Sequence, residues 1–401
     1  MKSISVLKFG GSSVSTIGKI KNISSYLKNR IENNEKLVVV VSAMGKTTDS
    51  LLKQVEEITE NPDVRELDSL LAIGEQNTIS LMAITLNDIG VKSRSLTGIQ
   101  AGIKTFGQHT KSKIADINSD YLLKQLEEYD ILVIAGFQGF NENLEITTLG
   151  RGGSDTSAVG LAASIACPCE IYTDVDAVYG TDPRIYPDAK AIEQISYEEM
   201  LELSALGAGV LETRCVEIAK NYNVPLYLGK TLANTKGTWI MSNTDLIEKK
   251  VVTGVALDQD ILHVTLTCKK CNPDFVQALF DQLDRLSINI DMISQILVND
   301  EISISFTCKN TDKNFLKDAL DTLKTSYPSL NHSIRTDCAK VSIVGSGMRD
   351  VSGVAARAFR ILGSNGIDFY QVTTSEISIS YAIDAQKSLD AVRILCEEFN
   401  I

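Results

Sequence analysis

Short apolar runs alternate with amphipathic segments over residues 1–243. The runs are rich in valine and isoleucine and almost unbroken, which is typical of strands buried on both faces. Helix-like segments separate them, so the pattern predicts an α/β domain in which helices cover both faces of a mostly parallel sheet. The predicted strands are 3–9, 36–43, 130–137, 169–175 and 224–229, and the predicted helices are 17–33, 49–60, 67–89, 119–128, 154–166 and 196–222.

The pattern changes after a polar stretch that ends near residue 250. The segment EISISF at 301–306 returns as EISISY at 376–381, and LSINIDM at 286–292 is matched by LGSNGIDF at 362–369. Two matches in the same order indicate a duplicated small α+β domain, and the alternative is chance similarity between amphipathic strands. We predict domains at 1–243, 251–336 and 337–401, the last of which can also take the strand at 251–257.

Composition and charge narrow the function classes. The 401 residues are 44% hydrophobic and 22% charged, as in a globular protein, and the net charge is −12. This balance predicts no nucleic-acid partner and no anionic membrane partner. No apolar run approaches the roughly 20 residues of a membrane span, and the start reads as a strand and not as a signal peptide, so we expect a cytoplasmic protein.

Eight cysteines are scattered along the chain. Cys268 and Cys271 form a C-x-x-C pair, but no second pair stands at the spacing of a zinc ribbon. We predict reduced, mostly buried thiols and no protein-bound metal, with a structural metal or a disulfide as the alternative.

A glycine pair follows the first predicted strand, in Lys8-Phe9-Gly10-Gly11-Ser12. Glycines at a strand end let backbone N–H groups approach a phosphate, and Lys8 would neutralise charge on a transferring phosphoryl group. A Gly-Gly turn beside a solvated lysine is the alternative. Neither a Walker A loop nor a GxGxxG fingerprint is present.

A second glycine-rich segment, Gly150-Arg151-Gly152-Gly153-Ser154-Asp155, leads into an apolar helix. The planar fork of Arg151 suits a carboxylate, and Ser154 or Asp155 can cap the helix. A capped helix start is the alternative, although it does not explain an arginine between two glycines.

Acidic residues follow the fourth predicted strand in TDVDAVYGTDPR at 173–184. Strand ends are where α/β sheets bind ligands, so these residues could hold ribose hydroxyls or Mg²⁺ and Arg184 could meet phosphate. A turn-rich loop is the alternative.

Glu75 opens a long apolar helical pattern, where it is either a helix-start residue or a receptor for a substrate ammonium group.

Taken together, these motifs resemble the aspartate kinase family of the amino-acid-kinase fold. The segments that carry the resemblance are KFGGSSV at 8–14, VSAMGKTTD at 41–49, GE at 74–75, TTLGRGGSDTSA at 147–158 and TDVDAVYGTDPR at 173–184, and the duplicated C-terminal domains are similar to paired ACT domains. The resemblance covers essentially the whole chain. It implies transfer of the γ-phosphoryl group of ATP, with Mg²⁺, to the β-carboxylate of L-aspartate.

The resemblance also implies roles for individual residues. Lys8 and Asp155 are the catalytic candidates. The aspartate candidates are Thr48, Glu75, Arg151, Gly152, Gly153 and Ser154, and the nucleotide candidates are Lys8, Gly10, Gly11, Ser12, Thr173, Asp174, Tyr179, Asp182 and Arg184. The family usually has GAKVLHP where this chain has GAGVLET at 207–213, so a phosphate-site lysine is replaced by Gly209. Arg214 is the candidate substitute, ahead of Lys220.

A carboxylate nucleophile is already an anion at pH 7 and needs no strong base, which agrees with three histidines that stand near none of these motifs. A catalytically weak amino-acid sensor and a kinase for another substrate are the alternatives.

The resemblance further implies feedback inhibition by lysine, alone or with threonine, at Asn289, Ile290, Asp291, Ser294 and Gln295. The edges of the small sheets predict a homodimer or a dimer of dimers.

Overall fold

The computed structural model describes residues 3–208, 210–242, 251–269, 274–349 and 351–401, which form two compact units. The first unit contains residues 3–178, 191–204 and 210–242, and the second contains the other described residues. The boundaries drawn from the sequence placed residues 179–190 and 205–208 in the first domain, whereas in the structure they belong to the second unit.

Strands and helices alternate through the first unit. The strands are β1 (Ser3–Phe9), β2 (Glu35–Val41), β3 (Ser93–Leu96), β4 (Ile103–Phe106), β5 (Lys113–Ile117), β6 (Ile131–Ala135), β7 (Gln138–Phe140), β8 (Ile146–Thr148), β9 (Cys169–Thr173), β10 (Gln194–Ser196), β11 (Leu226–Lys230) and β12 (Thr238–Met241). The helices are α1 (Ile17–Glu32), α2 (Thr47–Glu56), α3 (Val64–Leu71), α4 (Ile73–Asp88), α5 (Ser119–Glu128), α6 (Gly153–Ile165), α7 (Tyr197–Leu203) and α8 (Thr213–Asn221).

The main sheet has eight strands in the order β10-β12-β11-β9-β1-β2-β6-β3. All its pairs are parallel except β11 with β12. Burial explains this arrangement, because β1, β2 and β6 are apolar runs whose central residues are inaccessible to solvent. Leu7, Phe9 and Val39 join residues of α1 and α4 in one core. The predicted α/β class is confirmed.

Parallel strands bring their carboxyl ends to one edge of the sheet. At this edge β1 ends beside β9, with Phe9 opposite Tyr172, and β9 pairs with β11 up to Lys230. The residues that follow these strands are therefore neighbours in space, and ligands bind at such edges. A smaller sheet, in the order β5-β4-β7-β8, ends in the loop that leads to α6.

The elements of the second unit are β13 (Gly254–Lys269), α9 (Asp274–Arg285), β14 (Ile290–Val298), β15 (Glu301–Lys309), α10 (Lys313–Ser326), β16 (Leu330–Val344), α11 (Val354–Ser364), β17 (Phe369–Thr374), β18 (Ser378–Asp384) and α12 (Ser388–Phe399). They form one antiparallel sheet in the order β14-β15-β13-β16-β18-β17, covered by helices. One core lies between α9, α10 and one half of the sheet, and another lies between α11, α12 and the other half. Val252 and Val255 belong to the second of these cores.

Cysteine chemistry differs in one place from the expectation. Six described cysteines are free and buried, but Cys268 is disulfide-bonded, and Cys271 lies outside the described residues. Within the described ranges, no helix combines the length and the apolar character needed to cross a bilayer.

Candidate active site

A buried ion pair lies at the carboxyl end of β1. Lys8 is 8% exposed, and its Nζ lies 2.5 Å from Oδ1 of Asp155 in the first turn of α6. The sheet supplies the lysine and the helix start supplies the carboxylate, so the pair joins two of the segments singled out in the sequence. A protein ammonium group held this way can meet an anionic ligand without reorganisation.

The glycine pair after β1 packs tightly against the end of β2. A Cβ at Gly11 would stand 2.8 Å from the carbonyl oxygen of Ala43, which only glycine tolerates. The Gly45 N–H also donates to the Gly11 carbonyl at 3.0 Å, and Ser12 is exposed at the turn. Thr48 is half-buried in the first turn of α2, which begins two residues after Gly45.

Glu75 is a buried carboxylate with one unsatisfied oxygen. It is 3% exposed; Oε1 accepts the Ala43 N–H at 2.9 Å, and Oε2 has no partner among the described residues. Burial raises the pKa of Glu75 to about 7, although the Ala43 N–H opposes this. Since Ala43 also contacts Gly11, this carboxylate borders the glycine turn. Such an oxygen suits a cationic ligand.

The raised pKa of Glu75 leads to a pH prediction. Below pH 7 the carboxyl group is mostly neutral and cannot pair with the ammonium group of a bound amino acid, and above pH 7 it is ionised. The KM for an amino-acid substrate should therefore fall about tenfold from pH 6 to pH 8. Steady-state kinetics at saturating nucleotide measure this change. Glu75→Gln should remove it, and a wild-type KM that is flat over this range would contradict the assignment.

The second glycine segment forms a tight loop before α6. Gly152 has φ +62°, and a Cβ there would stand 1.9 Å from Cγ of Glu212. Ser154 is buried against Gly136, and Gly153 opens the helix. Arg151 is exposed, and no hydrogen bond or ion pair ties its guanidinium to the described residues. The loop thus carries an exposed arginine four residues before Asp155.

A groove of about 240 Å³ lies beside the end of β9. Thr231 connects its walls, because its Oγ1 lies 2.6 Å from Oγ of Ser13 and its N–H donates to the Thr173 carbonyl at 3.0 Å. The groove is lined by Ser12, Ser13, Lys19, Asn22, Ile23, Thr173, Asp174, Lys230, Thr231 and Leu232.

Two lysines of this groove were missed in the sequence analysis. Lys19 donates to the Ser12 carbonyl at 2.7 Å, and Lys230 lies 3.4 Å from Asp176. Their ammonium groups can neutralise part of a polyphosphate charge. Lys230 directly follows a predicted strand, which was the available signal. Lys19 carried none, since a lysine in a helix pattern is usually a solvated one.

Three other predicted nucleotide residues belong to the second unit. They are Tyr179, Asp182 and Arg184, of which Arg184 is 90% exposed and pairs with Asp182 at 2.6 Å. This pairing lowers the pKa of Asp182. Their part in nucleotide binding stays a prediction.

The geometry does not favour Arg214 as a phosphate ligand. Its guanidinium donates to the carbonyl oxygens of Leu149 at 3.1 Å and Ser112 at 3.0 Å, so it supports the loop before α6. Lys220 pairs with Glu198 at 3.0 Å. Gly209, where the lysine was expected, lies outside the described residues.

The predicted effector residues lie at the start of β14 and just before it. Asn289 and Gln295 are exposed, and Ser294 accepts from Gln371 at 3.1 Å. Asp291 pairs with the buried Lys340. Burial alone would raise the pKa of Asp291, but the Lys340 ammonium outweighs it and the pKa is lowered. An effector amine would have to compete with Lys340 for this carboxylate.

Comparison with known proteins agrees with the geometry. Residues 3–230 match the amino acid kinase family, and residues 341–399 match an ACT domain. These matches place the chain in the amino acid kinase family, with an ACT domain in its second unit.

Full-length relatives identify the particular kinase. The chain is 43% identical to the aspartokinase of Geobacillus stearothermophilus over 99% of this chain and 97% of that protein, and 42% identical to aspartokinase 2 of Bacillus subtilis over the same shares. Aspartate kinase from Synechocystis is 36% identical, with a TM-score of 0.55 over 99% of this chain and 69% of its own. Aspartokinase III of E. coli, in complex with aspartate and ADP, has the same fold, with a TM-score of 0.81 at 21% identity over the whole of both chains.

The chain therefore belongs to the aspartokinase family and is an aspartate kinase with feedback regulation through ACT domains. It transfers the γ-phosphoryl group of ATP to the β-carboxylate of L-aspartate and gives 4-phospho-L-aspartate. The predicted family and activity are confirmed, and none of these comparisons supports the alternative of a catalytically weak sensor.

Proposed function

We propose that phosphoryl transfer takes place between the glycine turn after β1 and the arginine loop before α6. The observation that carries this proposal is the Lys8–Asp155 pair, which joins the two segments at 2.5 Å. Arg151 binds a substrate carboxylate through its fork, and the free Oε2 of Glu75 receives the ammonium group. Glycine-turn amides and Ser12 hold the phosphates, while Thr173 and Asp174 hold the nucleoside in the groove.

The chemistry needs no general base. The β-carboxylate is ionised at neutral pH and attacks the γ-phosphorus in line, so catalysis consists of positioning and charge neutralisation. Lys8 donates to the developing negative charge, and Asp155 holds the ammonium group of Lys8 in position. Lys19 and Lys230 neutralise phosphate charge along the groove.

Magnesium enters, in this proposal, as a complex with ATP. Within the described part of the chain no group of three His, Cys, Asp or Glu side chains could hold a metal ion, so the donors do not fit a resident protein site. ATP phosphates supply the oxygen ligands that Mg²⁺ prefers, and no step is assigned to a protein-bound ion.

One assay tests substrate and regulation together. With hydroxylamine present to trap the acyl phosphate, ATP-dependent formation of an acyl hydroxamate should occur with L-aspartate and not with L-glutamate. Lysine, alone or with threonine, should inhibit it, because E. coli aspartokinase III has been described in complex with lysine and aspartate in its T-state. Equal turnover of glutamate would overturn the proposed substrate selectivity, and an activity that neither lysine nor threonine inhibits would overturn the proposed effectors.

We place the enzyme in the cytoplasm, where ATP and aspartate are available.

We infer that the enzyme is a homodimer or a dimer of dimers through the edge strand β14. This strand exposes Ile293, Ile296, Leu297 and Val298, each at least half accessible, next to an unpaired strand edge. An apolar edge of this kind normally pairs with another chain. Light scattering should give at least twice the 43.7 kDa of one chain. Ile296→Lys should lower that mass, whereas Ile58→Lys, at a residue 83% exposed in the first unit, should not.

A further inference from the structure

A fully buried carboxylate lies beneath the arginine loop and takes no part in the proposed chemistry. Asp68, in α3, has no exposed surface. Its Oδ2 accepts from Nδ1 of His109 at 2.8 Å, and its Oδ1 accepts from Oγ1 of Thr148 at 2.5 Å. The backbone N–H of Thr110 lies 3.0 Å from one oxygen and 3.1 Å from the other. His109 stands near none of the motifs along the sequence, but the fold connects it through Asp68 to Thr148 in the segment 147–158.

These hydrogen bonds hold two chain segments together. Thr148 ends β8, and the chain turns through Gly150 to Arg151 directly after it. Thr110 lies between β4 and β5 with φ +68°, a conformation that a β-branched residue rarely adopts. Asp68 accepts a hydrogen bond from the Thr110 N–H and so helps to impose this conformation. A strained residue that is fixed by its surroundings often serves a functional site.

The shape of the Arg151 loop depends on Thr110. A Cβ at Gly150, whose φ is +77°, would stand 3.1 Å from the Thr110 carbonyl oxygen, so the two backbones are in close contact. Ser112 donates from its N–H to the Thr148 carbonyl at 3.0 Å. Arg214 joins the same two segments through the carbonyls of Leu149 and Ser112.

We propose that Asp68 is a positioning residue for aspartate binding, which sets the direction of Arg151 by fixing Thr148 and Thr110. Asp68 is completely buried and both of its oxygens already accept hydrogen bonds from the protein, so neither is free to contact a ligand. The proposal rests on the proposed role of Arg151 as the carboxylate ligand. Because a displacement of about 1 Å at a binding group costs large factors in rate or affinity, loosening this loop should weaken aspartate binding selectively.

The test is a comparison of Michaelis constants in the full-length enzyme. Asp68→Asn keeps the shape but removes acceptor capacity, and it should raise the KM for aspartate about tenfold or more while the KM for ATP changes less than about twofold. Thr148→Val removes one of the donors to Asp68 and should act in the same direction. Combined, the two substitutions should be less than additive, since they break the same bond.

Glu145→Gln is the matched control. Glu145 lies 3.6 Å from the other ring nitrogen of His109 and accepts from Asn141, so it undergoes the same carboxylate-to-amide change without contact to the arginine loop. Its kinetics should stay at the wild-type values. If Asp68→Asn does not fold, Thr148→Val alone decides the question.

Two outcomes separate this proposal from the role of Arg151. If Arg151→Lys raises the KM for aspartate but folded Asp68→Asn and Thr148→Val leave it unchanged, or raise both Michaelis constants equally, the positioning role is wrong. If Arg151→Lys itself has no effect, the carboxylate assignment fails and the positioning proposal fails with it.

Discussion

Lys8→Ala should lower kcat by about 100-fold or more, the scale of losing one preorganised donor to a transition state. The ammonium group of Lys8 stands at the end of β1 next to the glycine turn, and Asp155 holds it there. The KM for aspartate should change much less, because the proposed aspartate ligands remain. Steady-state kinetics with circular dichroism as a fold check measure both quantities.

Lys36→Ala is a suitable control for this experiment. Lys36 lies on the neighbouring strand β2 and pairs with Asp130 at 3.0 Å, so it is also a partly buried ion-paired lysine, but near the opposite end of the sheet. Its removal should cost stability and leave kcat near the wild-type value. A folded Lys8→Ala enzyme that turns over as fast as Lys36→Ala would exclude Lys8 from catalysis.

Arg151→Lys should raise the KM for aspartate at least tenfold, with little change in the KM for ATP. The substitution keeps the positive charge but loses the planar fork that binds a carboxylate through two hydrogen bonds, an interaction typically of about 1.5–3 kcal/mol. Arg151 is exposed, and no described residue pairs with it, so the substitution should not disturb the fold. Initial rates over a range of aspartate and ATP concentrations separate the two constants.

Arg94→Lys provides the comparison for charge and size. Arg94 is an exposed arginine of the same unit, and it donates to Gln125 at 2.9 Å, away from the motif segments. The KM values for aspartate and for ATP should both be unaffected by Arg94→Lys. If the two variants have the same KM for aspartate, Arg151 does not belong to the substrate site.

Local sequence patterns were sufficient for five of the eight strands of the main sheet and for two residues of the candidate site. The five predicted strands occur as β1, β2, β6, β9 and β11, because a strand buried on both faces must be apolar throughout. Lys8 was selected from its glycine-rich surroundings and Asp155 from the family resemblance, and the structure brings them together at 2.5 Å. A glycine pair at a predicted strand end is visible in the sequence, so no tertiary information was needed to select Lys8 as a candidate.

Helix breaks and short strands were not predictable in this way. The apolar pattern over 67–89 reads as one helix, but the structure has α3 and α4 with a break at Ala72, and 196–222 is likewise divided into α7 and α8. The small sheet of β4, β5, β7 and β8 was missed because its strands have three to five residues, too few for a periodic pattern.

The sequence by itself determined the fold class and the family, and it supplied the candidate residues for phosphoryl transfer. Only the tertiary structure decided which distant polar residues meet. Asp68 and Thr148 are 80 positions apart, and Asp291 finds Lys340 across 49 positions. A buried polar group must be hydrogen-bonded, but the chain order does not state which partner will supply the bond. Packing within each unit makes that choice, and it directs the guanidinium of Arg214 to the carbonyl oxygens of Leu149 and Ser112.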